Sequence, residues 1–118
     1  LAIEKDNWVL VINDDNFKQT VSESPSGILM EFYTPMCDHC KKFEPTYAKA
    51  AAELEKKGLS IGKIDASKNK NLAKRFGVSS YPTLMWMKPK DGSKQKYSGP
   101  RTVDAIVEFV SRQSLPSF

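Results

Sequence analysis

The sequence predicts an α/β fold, a central mixed sheet of about five strands flanked by about four helices. Three observations point there. β-rich and helical segments alternate along most of the chain, the pattern of parallel strands joined by crossover helices. The run Ile28-Leu29-Met30-Glu31-Phe32-Tyr33 is almost continuously apolar, as a strand covered on both faces requires. Later, Asp91-Gly92 separates two strand-like stretches, a turn signal that adds an antiparallel hairpin to the parallel part.

The elements follow in order. Trp8-Val9-Leu10-Val11-Ile12 is β-rich and ends in Asn13-Asp14-Asp15, side chains suited to capping a helix. Phe17 and Val21 lie four apart and mark a short amphipathic helix that stops before Ser24-Pro25-Ser26-Gly27. The apolar strand comes next, then Thr34-Pro35 and a long helical pattern in which Phe43, Tyr47, Ala50, Ala51 and Leu54 share one face. Pro45 lies inside it and is expected to kink the helix. Gly58 is expected to end it in a left-handed cap, with Leu59 making the accompanying apolar contact. Leu59 to Ile64 reads as a second parallel strand, and Leu72, Ala73 and Phe76 as a short helix closed by Gly77. Thr83 to Met87 and Lys94 to Tyr97 form the hairpin, and Val103, Ile106, Val107 and Val110 form the stripe of a last helix. The order is β-α-β-α-β-α-β-β-α.

At 118 residues the chain fits one domain, and 40% hydrophobic with 27% charged residues is an ordinary globular balance. No apolar run approaches the roughly 18 residues of a membrane span. The net charge of +4 is modest, and lysines on helix faces usually form a solvated surface; the arginine stripe or basic-aromatic patch of a nucleic-acid binder is missing from the sequence. No nucleic-acid partner and no membrane contact are therefore expected. The chain starts at Leu1 without a basic-then-apolar segment and ends Leu115-Pro116-Ser117-Phe118 without a retention tetrapeptide. Both fit a single domain over 1–118 excised from a larger multidomain protein, monomeric by itself, with 114–118 as a frayed tail.

The chemistry concentrates at Cys37-Asp38-His39-Cys40. These are the two cysteines and the one histidine of the chain, too few for a structural zinc site without recruited carboxylates, so no metal is expected. Thiol–disulfide exchange needs a thiolate nucleophile and a second thiol near enough to resolve the mixed disulfide. Cys37 falls at a helix N-terminus, where free N–H groups and the helix dipole favour negative charge. Cys40 lies one turn further in, more buried and less reactive. A strand before the Cys-x-x-Cys and a helix after it mark a redox motif, against the alternative of a static structural disulfide. His39 beside Cys40, when protonated, would stabilise the Cys37 thiolate and favour the dithiol form. Glu31 is conspicuous as a carboxylate inside an apolar strand.

The segment Glu31-Phe32-Tyr33-Thr34-Pro35-Met36-Cys37-Asp38-His39-Cys40-Lys41-Lys42-Phe43-Glu44-Pro45 resembles the active-site region of the protein disulfide isomerase family, of the thioredoxin superfamily. Lys63-Ile64-Asp65-Ala66, Arg75-Phe76-Gly77-Val78, Tyr81-Pro82-Thr83 and Tyr97-Ser98-Gly99-Pro100-Arg101 continue the likeness, which runs from about Trp8 to Gln113. His39 stands where cytosolic thioredoxins usually carry proline. The resemblance implies a thioredoxin fold with Cys37 as nucleophile and Cys40 as resolving thiol. It implies that Glu31 is a buried proton shuttle for Cys40, that Lys63 is its buried partner, and that Arg101 approaches the site and eases deprotonation of Cys40. For Lys63 and Arg101 an ordinary surface charge is the alternative. It also implies a cis bond at Pro82, which with Tyr81 and Met36 would shape the substrate groove.

Two positions depart from the family. Met36 replaces a tryptophan, so a flexible thioether stands where an aromatic wall is usual. Asp38 replaces a glycine between the cysteines, and its charge repels the neighbouring thiolate, which is expected to hold the Cys37 thiol up and make the couple less oxidising.

The function expected is thiol–disulfide oxidoreductase and isomerase activity on cysteines of client proteins. No cofactor is expected beyond the redox-active Cys37–Cys40 disulfide, recycled by glutathione, an oxidase or another disulfide carrier. The resemblance implies the endoplasmic reticulum lumen. The alternatives are a peptide-binding or chaperone module with little redox turnover, and a dedicated disulfide reductase.

Overall fold

A computed structural model describes residues 2–115. The strands are β1 (Lys5–Asp6), β2 (Val9–Ile12), β3 (Ile28–Tyr33), β4 (Ile61–Asp65), β5 (Thr83–Met87) and β6 (Lys94–Lys96), and the helices α1 (Phe17–Ser22), α2 (Asp38–Glu55), α3 (Lys70–Arg75) and α4 (Val103–Gln113). They form one sheet in the order β1-β2-β4-β3-β5-β6. β2, β4 and β3 are parallel; β1, β5 and β6 join antiparallel. The expected mixed sheet and four helices are present, with a sixth strand, β1, in front of the predicted series.

The pleat divides the core. Ile28, Met30 and Phe32 of β3 pack with Ile12, Ile64, Met85 and residues of α1 and α3. The alternate residue Leu29 packs with Ile61, Leu84 and Trp86 under α2 and α4. Both faces of β3 are covered, which is why its sequence hardly alternates. The sheet ends in short edges: β6 is three exposed residues, Lys94-Gln95-Lys96, whose lysines discourage pairing with another chain.

Local signals set the helix ends. Asn13 and Asn16 bond reciprocally, each side-chain oxygen accepting the other's backbone N–H at 2.8 and 2.9 Å, a capping box ahead of α1. After α2, Gly58 takes φ 72°, and the N–H groups of Gly58 and Leu59 return to the carbonyls of Glu55 and Leu54. This is the expected left-handed cap. It consumes Leu59, so β4 starts at Ile61, two residues later than the sequence predicts. Pro45 lies inside α2, which continues beyond it to Glu55. Thr102 caps α4, its hydroxyl accepting the Ala105 N–H at 3.3 Å. α4 ends at Gln113, followed by Ser114 and the exposed Leu115; residues 116–118 of the expected tail lie outside the described residues.

The sequence places the first strand from Trp8, but β2 begins at Val9 because Asn7 and Trp8 turn the chain back onto β1. Both have positive φ, 49° and 73°, as a two-residue hairpin turn between Asp6 and Val9 requires. Asn7 suits that conformation; Trp8 is an uncommon residue for it, and its ring stays half exposed.

Candidate active site

The site is built where β3 runs out of its apolar stretch and α2 begins. Thr34 to Met36 make the turn, the Cys37 N–H donating to the Thr34 carbonyl at 3.2 Å. Cys37 is the N-cap of α2, in extended conformation, and its Sγ accepts the Cys40 N–H at 3.1 Å. The two cysteines form a disulfide across Cα atoms 5.2 Å apart. Cys37 is partly exposed and Cys40 is 4% exposed, so the first cysteine of the pair meets solvent and the second is buried. An N-cap acceptor is the place where a thiolate would be held by backbone N–H groups and the helix dipole.

The two residues between the cysteines are exposed. Asp38 and His39 occupy the first turn of α2, and Met36 just before it is 87% exposed. Tyr81–Pro82 is a cis peptide, as the resemblance implies, with Pro82 buried and Tyr81 half-buried. Arg101 donates to the Pro82 carbonyl at 2.8 Å and lies 6.0 Å from the Phe43 ring of α2. Although its side chain is largely exposed, it is tied to this end of the molecule and acts electrostatically on Glu31.

Beneath Cys40 lies a cleft of about 440 Å³, lined by Glu31, Cys40, Glu44, Lys63, Tyr33 and Asp6 among others. Glu31 is 4% exposed, and burial pushes its carboxyl up from 4.5 to about 7; Lys63 and Arg101 oppose the rise and Glu44 adds to it. Lys63 is the register partner of Glu31 across β3 and β4. Its ammonium, however, bonds Asp6 at 2.5 Å. Burial pulls Lys63 down, but the hydrogen bond and charge of Asp6 outweigh it, and the net direction is up. The expected partner of Glu31 is thus its neighbour in the sheet while its hydrogen bond goes elsewhere.

Sequence reasoning misses Asp6 and Glu44. Glu44 is legible in principle, four residues after Cys40 and so one helical turn along the same face. Asp6 is not, because its role depends on a hairpin with tryptophan in the turn. Among the described residues no group of three or more His, Cys, Asp or Glu could hold a metal ion, and no helix is long and apolar enough to cross a membrane.

The thioredoxin family pattern matches residues 8–112. Bovine protein disulfide-isomerase A4 is 43% identical over 97% of this chain and 18% of its own length. A rice protein disulfide isomerase-like 1-2 is 42% identical over 92% of this chain and 22% of its own. The chain spans under a third of the curated relatives it matches. The solution structure of the first thioredoxin domain of mouse protein disulfide-isomerase A4 superimposes with TM-score 0.88 at 40% identity, covering 100% of this chain and 84% of that one.

Proposed function

The chain belongs to the thioredoxin family, and from that premise we propose that it is a thiol–disulfide oxidoreductase and isomerase acting on cysteines of client proteins. The observation that carries the proposal is the Cys37–Cys40 disulfide at the start of α2, with Cys37 as an open N-cap and Cys40 buried behind it. In the reduced state the Cys37 thiolate attacks a client disulfide, forming a mixed disulfide and expelling one client thiolate. The Cys40 thiolate then attacks Cys37 Sγ; the bond to the client breaks and its electron pair leaves on the second client sulfur. Two electrons pass to the client and the Cys37–Cys40 disulfide remains. Run backwards, the same steps donate that disulfide to a client.

The surrounding residues divide the work. Glu31 takes and returns the Cys40 proton, and its raised carboxyl is matched to that task near neutrality. Lys63 and Arg101 set the field around Glu31 and Cys40. His39, when protonated, favours the Cys37 thiolate, and Asp38 opposes it. Met36, Tyr81 and Pro82 form the surface that meets client peptide. Glutathione, an oxidase or another disulfide carrier recycles the cysteines, and the endoplasmic reticulum lumen is the compartment that suits this chemistry. Such a domain, working within a longer protein, needs no further cofactor.

Two measurements test this. Cys40→Ala should accumulate a mixed disulfide with a client that reducing agent releases, and Cys37→Ala should trap none; capture unaffected by loss of both cysteines would instead make the exposed Met36 surface a peptide-docking module. Equilibration of Cys37/Cys40 with graded glutathione buffers then gives the direction of use. A value near the about −180 mV of protein disulfide isomerase supports oxidation and isomerisation, and one near the about −270 mV of thioredoxin makes the domain a reductase, as Asp38 would favour.

A further inference from the structure

Glu31 and Lys63 stand side by side in register on adjacent parallel strands, opposite charges on a largely desolvated face. Side chains so placed ordinarily meet as an ion pair. Here the Lys63 ammonium, its side chain 13% exposed, turns to the Asp6 carboxylate, and among the described residues nothing hydrogen-bonds the Glu31 carboxyl. The sheet order explains how Asp6 arrives. Asp6 pairs with Val9, Val11 with Lys63, and Lys63 with Glu31. Alternate residues share a face, so these side chains form a row across four strands on the side covered by α2. β1 is an edge strand of two exposed residues and buries little apolar surface; ion pairs from Asp6 to Lys63 and from Lys5 to Glu55 fasten it.

We propose that Asp6 is a positioning residue: by holding the Lys63 ammonium it keeps Glu31 unpaired and able to carry the proton that Cys40 gives up and takes back. The proton's role rests on the exchange function proposed above; the charge arrangement does not. In the resolving step the Cys40 thiol transfers its proton to the Glu31 carboxylate, directly or through water in the cleft, while the sulfur electron pair attacks Cys37 Sγ and the client thiolate leaves. A carboxylate clamped by an ammonium is a weaker base and does this less well. The other charged and titratable groups around Glu31 are Asp65 on β4, Tyr33 on its own strand, Lys41, Glu44 and Tyr47 on α2, Lys68 after β4, and Arg101 before α4. Of these, Glu44 and Arg101 act on Glu31 in opposite directions and belong to other elements, so releasing Lys63 alone should move it.

The test is the titration of the Glu31 carboxyl by carbon-detected NMR in the oxidised chain. Asp6→Asn should lower its midpoint by about 1 pH unit, the lower end of what a close opposite charge produces. Asp6→Glu, which keeps the carboxylate, should leave it near the starting value, and this variant controls for a hairpin lost outright. In a Lys63→Met background Asp6→Asn should no longer lower it. A midpoint unmoved by Asp6→Asn, or a drop of the same size with Lys63 absent, overturns the proposal. In the reduced chain, the pH profile of mixed-disulfide resolution by Cys40 should follow the same shift. If the unaltered chain exchanges no thiols with glutathione the proposed function fails while the titration still decides the role of Asp6; normal exchange with an unmoved midpoint removes Asp6 alone.

Discussion

β3 carries two different environments on its two sides. Toward α1 and α3 it presents Ile28, Met30 and Phe32, all buried in an apolar cluster. Toward α2 it presents Leu29, then Glu31, then Tyr33, so that face begins as core and becomes a polar cleft within three residues. The first side stabilises the sheet by burial. The second uses the low polarity produced by that burial to lift a carboxyl toward neutrality beside a cysteine. Stability and chemistry are separated here by one residue of register, and a one-residue slip would exchange them.

The apolar side should show the largest effect of a single substitution. Phe32→Ala removes a fully buried ring that packs against Phe76, and should cost about 3–5 kcal/mol in denaturant unfolding. A cost near zero would mean the apolar face is not what holds the sheet.

The polar side should show its cost through pH. The Glu31 carboxyl is raised in the folded chain from 4.5 to about 7, so below 4.5 it is protonated in both states and exacts nothing. Between those values the unfolded chain loses the proton and the folded chain keeps it, so stability falls as pH rises, and above 7 the whole penalty stands. The size is about 3 kcal/mol. Glu31→Gln should remove this slope, leaving the variant more stable than the parent at pH 8 by an amount of that order and much closer to it at pH 4. Parallel stability–pH curves for the two chains would show that Glu31 is not raised.

The smallest effect is a volume-conserving exchange on the apolar side. Met30→Leu should cost under about 1.5 kcal/mol and leave the glutathione equilibrium of Cys37/Cys40 unchanged. A change in that equilibrium would show that the two faces are coupled through the strand.

Much of this contrast is legible in the order of the amino acids. The near-continuous run from Ile28 to Tyr33 marks a strand covered on both sides, and Glu31 stands out within it because an unpaired buried carboxylate is costly. Cys37 at the head of α2 and Cys40 one turn later follow from the helical period that begins after Pro35. Helix ends at Gly58 and Gly77 are readable from glycine's freedom at positive φ. These are local properties: period, capping and backbone preference act within a few residues, so the chain states them in order.

The tertiary structure alone decides which charges meet. Lys63 bonds Asp6, 57 residues away, and Arg101 bonds the Pro82 carbonyl, 19 residues away. The extra strand that brings Asp6 into place depends on a turn through Asn7 and Trp8, in which Asn7 favours positive φ but a tryptophan in the second position does not read as a turn residue. A lysine can reach any carboxylate within several ångströms, and which one it reaches is fixed by the register of strands distant in the chain. That register is set by packing of the whole sheet, so the partners of Lys63 and Arg101 are determined only when the sheet is assembled.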